Sequence, residues 1–596
     1  MPHPALQAAP ETAVRLGSQQ LLDSCCRHLS RNQATLEDFI TSEDPLGATA
    51  DADLTTDATR LARAFALMDS AGPLGATAVR MFTRIWRSGR HDLRSERDTD
   101  LFAQLLLIND PRHPLADELR ELVTPEIARE LSADLLHPER GGPADHRDWI
   151  RAFSMAVGME CEVPEAAWTS GESDPFDHVT FGDVEDPQYD GPLVTSITAC
   201  YRPDDKLISA IRSLCRQSWG NLEIIVLDDG SGPDFEPILA TVADMDPRIR
   251  MVRNTENRGT YRRRNQGIDL ARGRYITFHD ADDISAPNRI YDHATVMEGD
   301  PSLAATLSSC AKVEPRLQVT RPGYVSRAAN AQSLMLRASS VLPRLGYFHE
   351  VRRGGDGEYH RRIVACFGEE AVRKLSSSPL MLYRRTPGSL SSTDFSPGRR
   401  SRRRWAYQMV TSHQHRTVKH PSQYFVTQKR ARSSRDVPVA NVIKQAHAAS
   451  HTFDVAYLAD FRDCNPALDR LWDEAQGWMT RGLSVAIAQC DRTSLLSRVD
   501  GPLAPKILAA LDRGAVKMLV DDSAALVTHL VVEDAHALTI GLLPQAAWTI
   551  CSAEVRGDPR VAEAGQDHLP PLAEPDAVLR QLGARTVVMG ATCHPA

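Results

Sequence analysis

The sequence lacks the features that mark secreted, membrane-spanning and zinc-binding proteins. Its 11 cysteines are scattered along the chain without a Cys-x-x-Cys pair, which indicates reduced thiols, not a disulfide framework or a zinc site. The first residues show no basic segment followed by an apolar run, so we expect no signal peptide. No stretch approaches the ~18 apolar residues needed to cross a bilayer. We therefore expect a cytoplasmic protein that is soluble or at most peripherally associated with a membrane.

The sequence also has no excess of positive charge. Its 596 residues include 69 Lys and Arg against 78 Asp and Glu, a net charge of −9, which disfavours a global nucleic-acid-binding role. Hydrophobic residues make up 42% and charged residues 25%, values typical of a soluble globular protein and not of a mostly disordered chain. At about 150 residues per domain, the length predicts about three or four domains.

The chain divides into four segments of different composition. Residues 1–185 place apolar residues at helical spacing, which predicts an α-helical domain. Residues 190–395 alternate apolar runs with helical segments, which predicts βαβ units and a mainly parallel sheet. Residues 396–450 form a basic helical connector. Residues 451–596 predict a smaller Rossmann-like α/β domain, although no Gly-x-Gly-x-x-Gly loop follows its first strand.

The connector allows two interpretations. Its basic residues are typical of a solvated helix face or linker. They would also suit a site for a diphosphate or an anionic lipid headgroup. The residues concerned are Arg399, Arg400, Arg402, Arg403, Arg404, Lys429, Arg430 and Arg432.

Two polar motifs follow the first predicted strands of the central segment. Thr198-Ala-Cys-Tyr-Arg-Pro203 ends the first strand, and in open α/β sheets ligands bind beyond the carboxyl ends of strands. Tyr201 could stack there on a nucleobase, or it could pack on the sheet edge. Asp228 and Asp229 end the next strand in an Asp-Asp-Gly-Ser sequence. Their carboxylates could accept hydrogen bonds from a base N–H or from ribose hydroxyls, or they could belong to an ordinary turn.

A third motif is basic. Asn257-Arg-Gly-Thr-Tyr-Arg-Arg-Arg-Asn265 precedes a helical stretch, which predicts that Arg264 lies near the start of a helix. A cation at that place can pair with phosphate oxygens, to which the helix N-terminus adds donors. The alternative is a solvated basic turn.

The fourth motif is acidic. Phe278-His-Asp-Ala-Asp-Asp283 follows an apolar strand, so Asp280 and Asp282 can face one cavity and hold a divalent cation through oxygen ligands. Mg²⁺ or Mn²⁺ suits such a site better than Zn²⁺, because no Cys/His cluster accompanies it. The cation would neutralise a diphosphate leaving group. A solvated acidic loop is the alternative.

These four motifs, in this order, resemble those of the family 2 glycosyltransferases of the GT-A fold. Arg264-Asn265 matches the Arg-Asn pair of that family, and Asp280-Ala-Asp282-Asp283 matches its metal motif. Ala199 and Cys200 depart from its usual Pro-Thr. The resemblance covers about residues 190–415 and implies a GT-A domain with a Rossmann-like mixed sheet.

The resemblance also assigns residues downstream. Asp356, in Arg353-Gly-Gly-Asp-Gly-Glu-Tyr-His-Arg-Arg362, aligns with the catalytic base of the family, with Glu358 as an alternative. Gly355 stands where the family often has Glu. His413 lies where some relatives place a late histidine near the metal or diphosphate, although a lone histidine is more often a packing or surface residue.

The resemblance implies an inverting transfer of a sugar to an acceptor hydroxyl. The expected donor is a nucleoside-diphosphate sugar such as a UDP-sugar, bound by Tyr201, Asp228, Asp229, Arg264 and Asp280. The expected acceptor is a glycan, wall polymer or lipid-linked sugar. Two other hypotheses are a non-catalytic glycan-binding scaffold with a decayed transferase core, and a sugar-phosphate nucleotidyltransferase. The latter normally has a Gly-rich loop after its first strand, which Thr198–Pro203 lacks.

Overall fold

A computed structural model of the chain places helices before and between two β-sheets. It describes residues 9–14, 18–30, 34–47, 56–90, 92, 95–140, 145–168, 173–182, 191–375, 378–386, 402–432, 451–463, 465–490, 502–520, 525–533, 548–556, 579 and 586–589.

The N-terminal part is helical, as the spacing of apolar residues predicts. Ser18 is extended, and its side chain caps a helix that begins at Gln19. Two short helices, α2 and α6, have too few turns to show a periodicity. The helices are α1 (Gln19–Leu29), α2 (Leu36–Thr41), α3 (Thr56–Met68), α4 (Pro73–Arg87), α5 (Glu96–Asn109), α6 (Ala116–Leu122), α7 (Pro125–Leu135) and α8 (His146–Val157).

The central part forms a nine-stranded sheet in the order β3-β2-β1-β4-β7-β6-β9-β5, with β8 beside β6. Its strands are β1 (Val194–Cys200), β2 (Leu222–Asp228), β3 (Ile249–Val252), β4 (Tyr275–Asp280), β5 (Ile284–Ser285), β6 (Ala305–Val313), β7 (Arg327–Arg337), β8 (Val372–Lys374) and β9 (Met381–Arg384). The helices between them are α9 (Asp205–Cys215), α10 (Glu236–Ala243), α11 (Thr260–Leu270), α12 (Arg289–Gly299), α13 (Ala338–Leu345) and α14 (Gly355–Phe367).

The direction of the strands changes in the middle of this sheet. β1, β2, β3 and β4 are parallel, whereas β7 is antiparallel to both β4 and β6. The mixed sheet, the helical part before it and the second sheet after it confirm the fold class that the sequence predicts. Because β1, β2 and β4 are parallel, their carboxyl ends meet at one edge of the sheet.

The connector contains α15 (Arg402–Thr417) and α16 (Gln428–Ala431). Ala406, Tyr407 and Val410 of α15 are buried, so this helix packs against the protein and is not a solvated linker. Arg430 donates a hydrogen bond to the carbonyl oxygen of Phe425. Arg399 and Arg400 lie outside the described residues.

The C-terminal part is a parallel sheet in the order β12-β11-β10-β13-β14-β15. One cluster of buried apolar residues joins a face of this sheet, including Leu530, to the N-terminal helices, including Phe65. The elements are β10 (His451–Ala459), α17 (Leu468–Thr480), β11 (Val485–Gln489), α18 (Pro505–Asp512), β12 (Lys517–Met518), β13 (Ala525–Val532), β14 (Trp548–Val555) and β15 (Thr586–Met589).

Buried polar side chains of α5 and α7 hold the connection between β6 and β7. The Asp134 carboxylate accepts hydrogen bonds from the backbone N–H groups of Val319 at 2.9 Å and Thr320 at 2.7 Å. The Glu130 carboxylate accepts one from Ser326 at 2.6 Å. Since buried backbone donors must be satisfied, the N-terminal helices fix the path of this connection.

We predict that Glu130 makes stability fall with rising pH. Burial raises the pKa of its carboxyl from 4.5 to about 7, so the folded chain holds a proton that the unfolded chain releases. The stabilisation is complete below pH 4.5 and is lost as pH rises through about 7, by about 3 kcal/mol in total. Glu130→Gln should abolish this dependence. The melting temperature of the variant, relative to that of the native chain, should therefore rise between about pH 5 and about pH 8.

Glu126→Gln is the matched control for thermal unfolding. Glu126 lies on the same helix, its side chain is 51% exposed, and it pairs with Arg129. The difference in melting temperature between Glu126→Gln and the native chain should not change over that pH range. If the difference for Glu130→Gln were constant as well, Glu130 would not be the source of the pH dependence.

Candidate active site

The predicted motifs meet at the carboxyl edge of the parallel strands. In the strand register, Cys200 lies opposite Asp228, and Ala199 lies opposite Asp280. The residues that follow β1, β2 and β4 are therefore neighbours, as the sequence predicts for a ligand site at this edge.

Asp228 and Asp229 shape the loops at this edge. The Asp228 carboxylate accepts hydrogen bonds from the backbone N–H groups of Gly230 and Ser231, each at 3.2 Å. The Asp229 carboxylate accepts one from Gly259 at 2.7 Å and one from the Arg263 guanidinium at 2.6 Å. Both carboxylates thus have partners within the protein, and a contact with a nucleotide stays a prediction.

Tyr201 is exposed at the tip of β1, with 45% of its surface accessible. The next residue, Arg202, has a left-handed backbone with φ of 49°. Its guanidinium carbon lies 5.2 Å from the centre of the Tyr201 ring. The ring is accessible to a planar ligand, so stacking on a base stays a prediction for it.

Arg264 joins two parts of the edge. It lies inside α11, almost fully buried, and its guanidinium donates to Asp280 at 2.7 Å and to Asp356. Burial alone would lower the pKa of this group, but the Asp356 and Asp280 carboxylates outweigh burial and raise it. The predicted metal motif and the predicted base are therefore linked through the Arg264 guanidinium. Arg264 lies in the second turn of the helix and not at its start, as the sequence predicted.

Asp356 has a second partner. The Tyr261 hydroxyl donates to its carboxylate at 2.8 Å, and 16% of the Asp356 side chain remains exposed. Gly354, before the helix, has φ of 79°, a conformation that glycine adopts without strain. A Cβ at Gly355 would lie 2.7 Å from the Tyr261 ring. Only glycine therefore fits at position 355 without a shift of the Tyr261 ring.

Glu358, the alternative base, is placed differently. Its side chain is fully buried and pairs with Arg362 at 3.0 Å and His415 at 3.0 Å. Burial would raise the pKa of this carboxyl, but Arg362, His349 and His415 outweigh burial and lower it. A fully buried carboxylate has no access to a substrate, so the structure argues against Glu358 and leaves Asp356 as the candidate.

The acidic motif has the geometry of a cation site. One carboxylate oxygen from each of Asp280, Asp282 and Asp283 lies within 4.8 Å of the others. The Oδ2 atom of Asp283 is buried with no hydrogen-bond partner among the described residues. Burial and the neighbouring Asp280 raise the pKa of Asp282 to about 6. Clustered carboxylates with an unsatisfied oxygen fit Mg²⁺ or Mn²⁺.

The prediction that His413 binds metal is not supported by its position. His413 is not part of the acidic cluster found among the described residues. The charged groups near it are Asp512 of α18 and Arg416, because α15 packs against α18. His415, two residues later, reaches Glu358 instead.

Sequence reasoning missed three residues of this site. The sequence places Asp283 in the acidic motif but does not predict it as a ligand, although it directly follows Asp282. Tyr261 lies in the basic motif, and nothing in the sequence indicates that its hydroxyl contacts Asp356. Arg384, at the end of β9, donates from its guanidinium to the carbonyl oxygen of Asp282 at 3.0 Å. A contact between residues so far apart in sequence has no local signature.

Comparison with known proteins identifies the central part of the chain. The profile of the family described as "Glycosyl transferase family 2" matches residues 195–332. A glycosyltransferase of Methanocaldococcus jannaschii, named as uncharacterized, is 26% identical over 193 residues, which are 30% of this chain and 67% of that protein. The succinoglycan biosynthesis protein ExoO of Rhizobium meliloti is 37% identical over 99 residues, covering 17% of this chain and 28% of that protein.

Two further proteins match over a limited part of the chain. An Escherichia coli protein named UDP-Glc:alpha-D-GlcNAc-diphosphoundecaprenol beta-1,3-glucosyltransferase WfaP is 34% identical over 106 residues, which are 18% of this chain and 41% of that protein. The solved structure of S. aureus TarS 1-349 in complex with UDP covers 39% of this chain and 67% of its own, at 14% identity and a TM-score of 0.30.

We predict that Gly355→Ala destabilises the protein and Gly357→Ala does not. Both positions lie in the first turn of α14, where alanine is intrinsically favoured. The added Cβ at 355 would meet the buried Tyr261 ring at 2.7 Å, whereas at 357 it would meet the end of the flexible Arg361 side chain at 3.2 Å. Thermal unfolding should show a lower melting temperature for the first variant alone. Equal melting temperatures would contradict the packing described.

Proposed function

We propose that the chain transfers a sugar from a nucleoside-diphosphate donor to an acceptor hydroxyl with inversion at the anomeric carbon, and the match of residues 195–332 to glycosyl transferase family 2 supports this. The observation that carries the proposal is the Arg264 bridge. Its guanidinium donates to Asp280 of the acidic cluster and to Asp356. In a single displacement, the group that binds the leaving diphosphate and the group that accepts the proton must both lie near the anomeric carbon.

Asp356 is the proposed base. The acceptor oxygen attacks the anomeric carbon, the bond from that carbon to the diphosphate oxygen breaks, and the acceptor proton passes to the Asp356 carboxylate. Tyr261 and Arg264 hold this carboxylate from two sides, which fixes its orientation. Its side chain is 16% exposed, so an acceptor can approach it from solvent.

Asp280, Asp282 and Asp283 would hold Mg²⁺ or Mn²⁺. Their carboxylate oxygens are grouped within 4.8 Å, and the buried Asp283 Oδ2 atom lacks a partner among the described residues. A cation bound there supplies positive charge that stabilises the diphosphate as it leaves. The protein supplies the rest of the site by orienting these oxygens.

A UDP-sugar is the first donor to test. The name of the E. coli relative specifies UDP-glucose and a diphosphoundecaprenol-linked acceptor, and Tyr201 offers an exposed ring directly after Cys200, which pairs with Asp228. We propose a glycan, wall polymer or lipid-linked sugar as the acceptor. Among the described helices, none has the length and apolar character to span a bilayer. Release of nucleoside diphosphate from a panel of nucleotide sugars, with and without acceptor, would identify the donor.

Asp356→Asn should abolish transfer and keep donor binding. The amide has nearly the same shape but cannot accept the proton, so turnover should fall by about 10²-fold or more. Binding of the UDP-sugar by calorimetry and transfer by product release are the measurements. Asp269→Asn is the control, because Asp269 is an acid at the surface that bonds to Tyr347 and Gln428. Near-normal turnover of Asp356→Asn would remove the assignment.

Asp282→Ala should weaken donor binding that depends on Mn²⁺. The variant removes one of three clustered carboxylates, and loss of a ligand lowers cation affinity. Donor binding is measured at increasing Mn²⁺ concentration and again in EDTA, where native chain and variant should bind equally weakly. An unchanged Mn²⁺ dependence would refute the cation site.

A further inference from the structure

A buried arginine supports the acidic cluster from behind. Arg384 is the last residue of β9, and its side chain is completely inaccessible. Its guanidinium donates to the carbonyl oxygen of Asp282, and its backbone N–H donates to the Asp283 carboxylate at 3.0 Å. These contacts fix two of the three clustered acids, and the guanidinium uses no carboxylate oxygen of either one.

The charge of Arg384 is balanced by residues before the first strand. The Asp177 carboxylate accepts from both terminal nitrogens of the guanidinium, one of them at 3.2 Å. The Phe176 ring centre lies 4.0 Å from the guanidinium carbon. A second acid, Asp174, is more exposed and lies at 3.4 Å. This short segment precedes the residues that match the family.

Asp177 is itself held in place. The Ser209 hydroxyl of α9 donates to its carboxylate at 2.5 Å. The backbone N–H of Phe176 donates to the carbonyl oxygen of Pro315, in the connection between β6 and β7. The segment is therefore fixed against two parts of the central domain, and Asp177 can impose a position on Arg384.

Electrostatics gives this arrangement a consequence for cation binding. A buried guanidinium requires a compensating negative charge. If Asp177 did not supply it, the more exposed Asp174 would remain on one side, and the Asp282 and Asp283 carboxylates would turn toward Arg384 on the other. Those are the oxygens that a divalent cation needs, so an arginine without Asp177 would compete with the cation.

We propose that Asp177 is a positioning residue, which acts through Arg384 to keep the Asp282 and Asp283 carboxylates directed at the cation. The proposal rests on the proposed function, because it assumes that the acidic cluster binds Mg²⁺ or Mn²⁺. It adds that the segment around Asp177 belongs to the catalytic apparatus, although it lies outside the family match.

The test is a direct titration with Mn²⁺ of the full chain, alone and with UDP, in which electron paramagnetic resonance measures free Mn²⁺. Asp177→Asn keeps the shape of the side chain and removes its charge. Its dissociation constant for Mn²⁺ should rise by about tenfold or more, the effect typical of losing an outer partner of metal ligands.

Asp98→Asn is the matched control. Asp98 forms a comparable pair with Arg63, with contacts of 2.8 and 2.9 Å, within the N-terminal helices. Both variants should lower the melting temperature, but only Asp177→Asn should weaken Mn²⁺ binding. Asp174→Asn, which removes the more exposed acid, should change the affinity far less.

The outcomes separate the two proposals. If the native chain binds no Mn²⁺ under either condition, the cation site itself fails and this inference fails with it. If the native chain binds Mn²⁺ and Asp177→Asn binds it equally well, only the positioning role is overturned. Should Asp177→Asn not fold, Arg384→Lys replaces it, since lysine keeps the charge but loses the planar fork. An unchanged Mn²⁺ affinity of Arg384→Lys would overturn the positioning role as well.

Discussion

The site depends on one buried positive charge. Arg264 lies inside α11, and its guanidinium contacts Asp280 on one side and Asp356 on the other. Burying such a charge is costly unless acids compensate it, so the carboxyl edge of β4 and the start of α14 must stay close together. Asn265, the next residue, exchanges hydrogen bonds with the backbone of Phe348 at 2.9 and 3.0 Å. It attaches α11 to the segment that leads into α14.

Two other buried arginines extend this principle. Arg362 pairs with Glu358 one turn earlier on α14, and His415 of the connector completes that group. Arg384 pairs with Asp177 behind the acidic cluster. In each case, breaking the pair would leave an uncompensated buried charge, which costs several kcal/mol. Glu358 and Asp177 therefore serve to compensate arginines, whereas Asp280 and Asp356 compensate Arg264 and also belong to the proposed site.

The sequence predicted which residues meet at the carboxyl edge of the sheet, but it did not predict the buried contacts between helices. Asp228, Asp280 and Asp282 follow apolar strands, so parallel pairing alone brings them together. Asp356 and Glu358 are two residues apart on one helix, and sequence cannot tell which one is accessible from outside. Burial beside Arg362 decides it. His413 and His415 differ in the same way, because the helix face that packs against the protein depends on tertiary contacts.

The arrangement of the N-terminal helices argues that they are more than an appended domain. Asp134 and Glu130 satisfy backbone donors in the connection between β6 and β7, and Gln104 of α5 accepts one more from Gly323 at 2.9 Å. The same connection accepts a hydrogen bond from the backbone N–H of Phe176, beside Asp177, so α7 holds the connection that also positions the segment behind the acidic cluster. Helices that satisfied only their own core would need no buried acids on this face, so their presence is best explained by the shape they impose on the central domain.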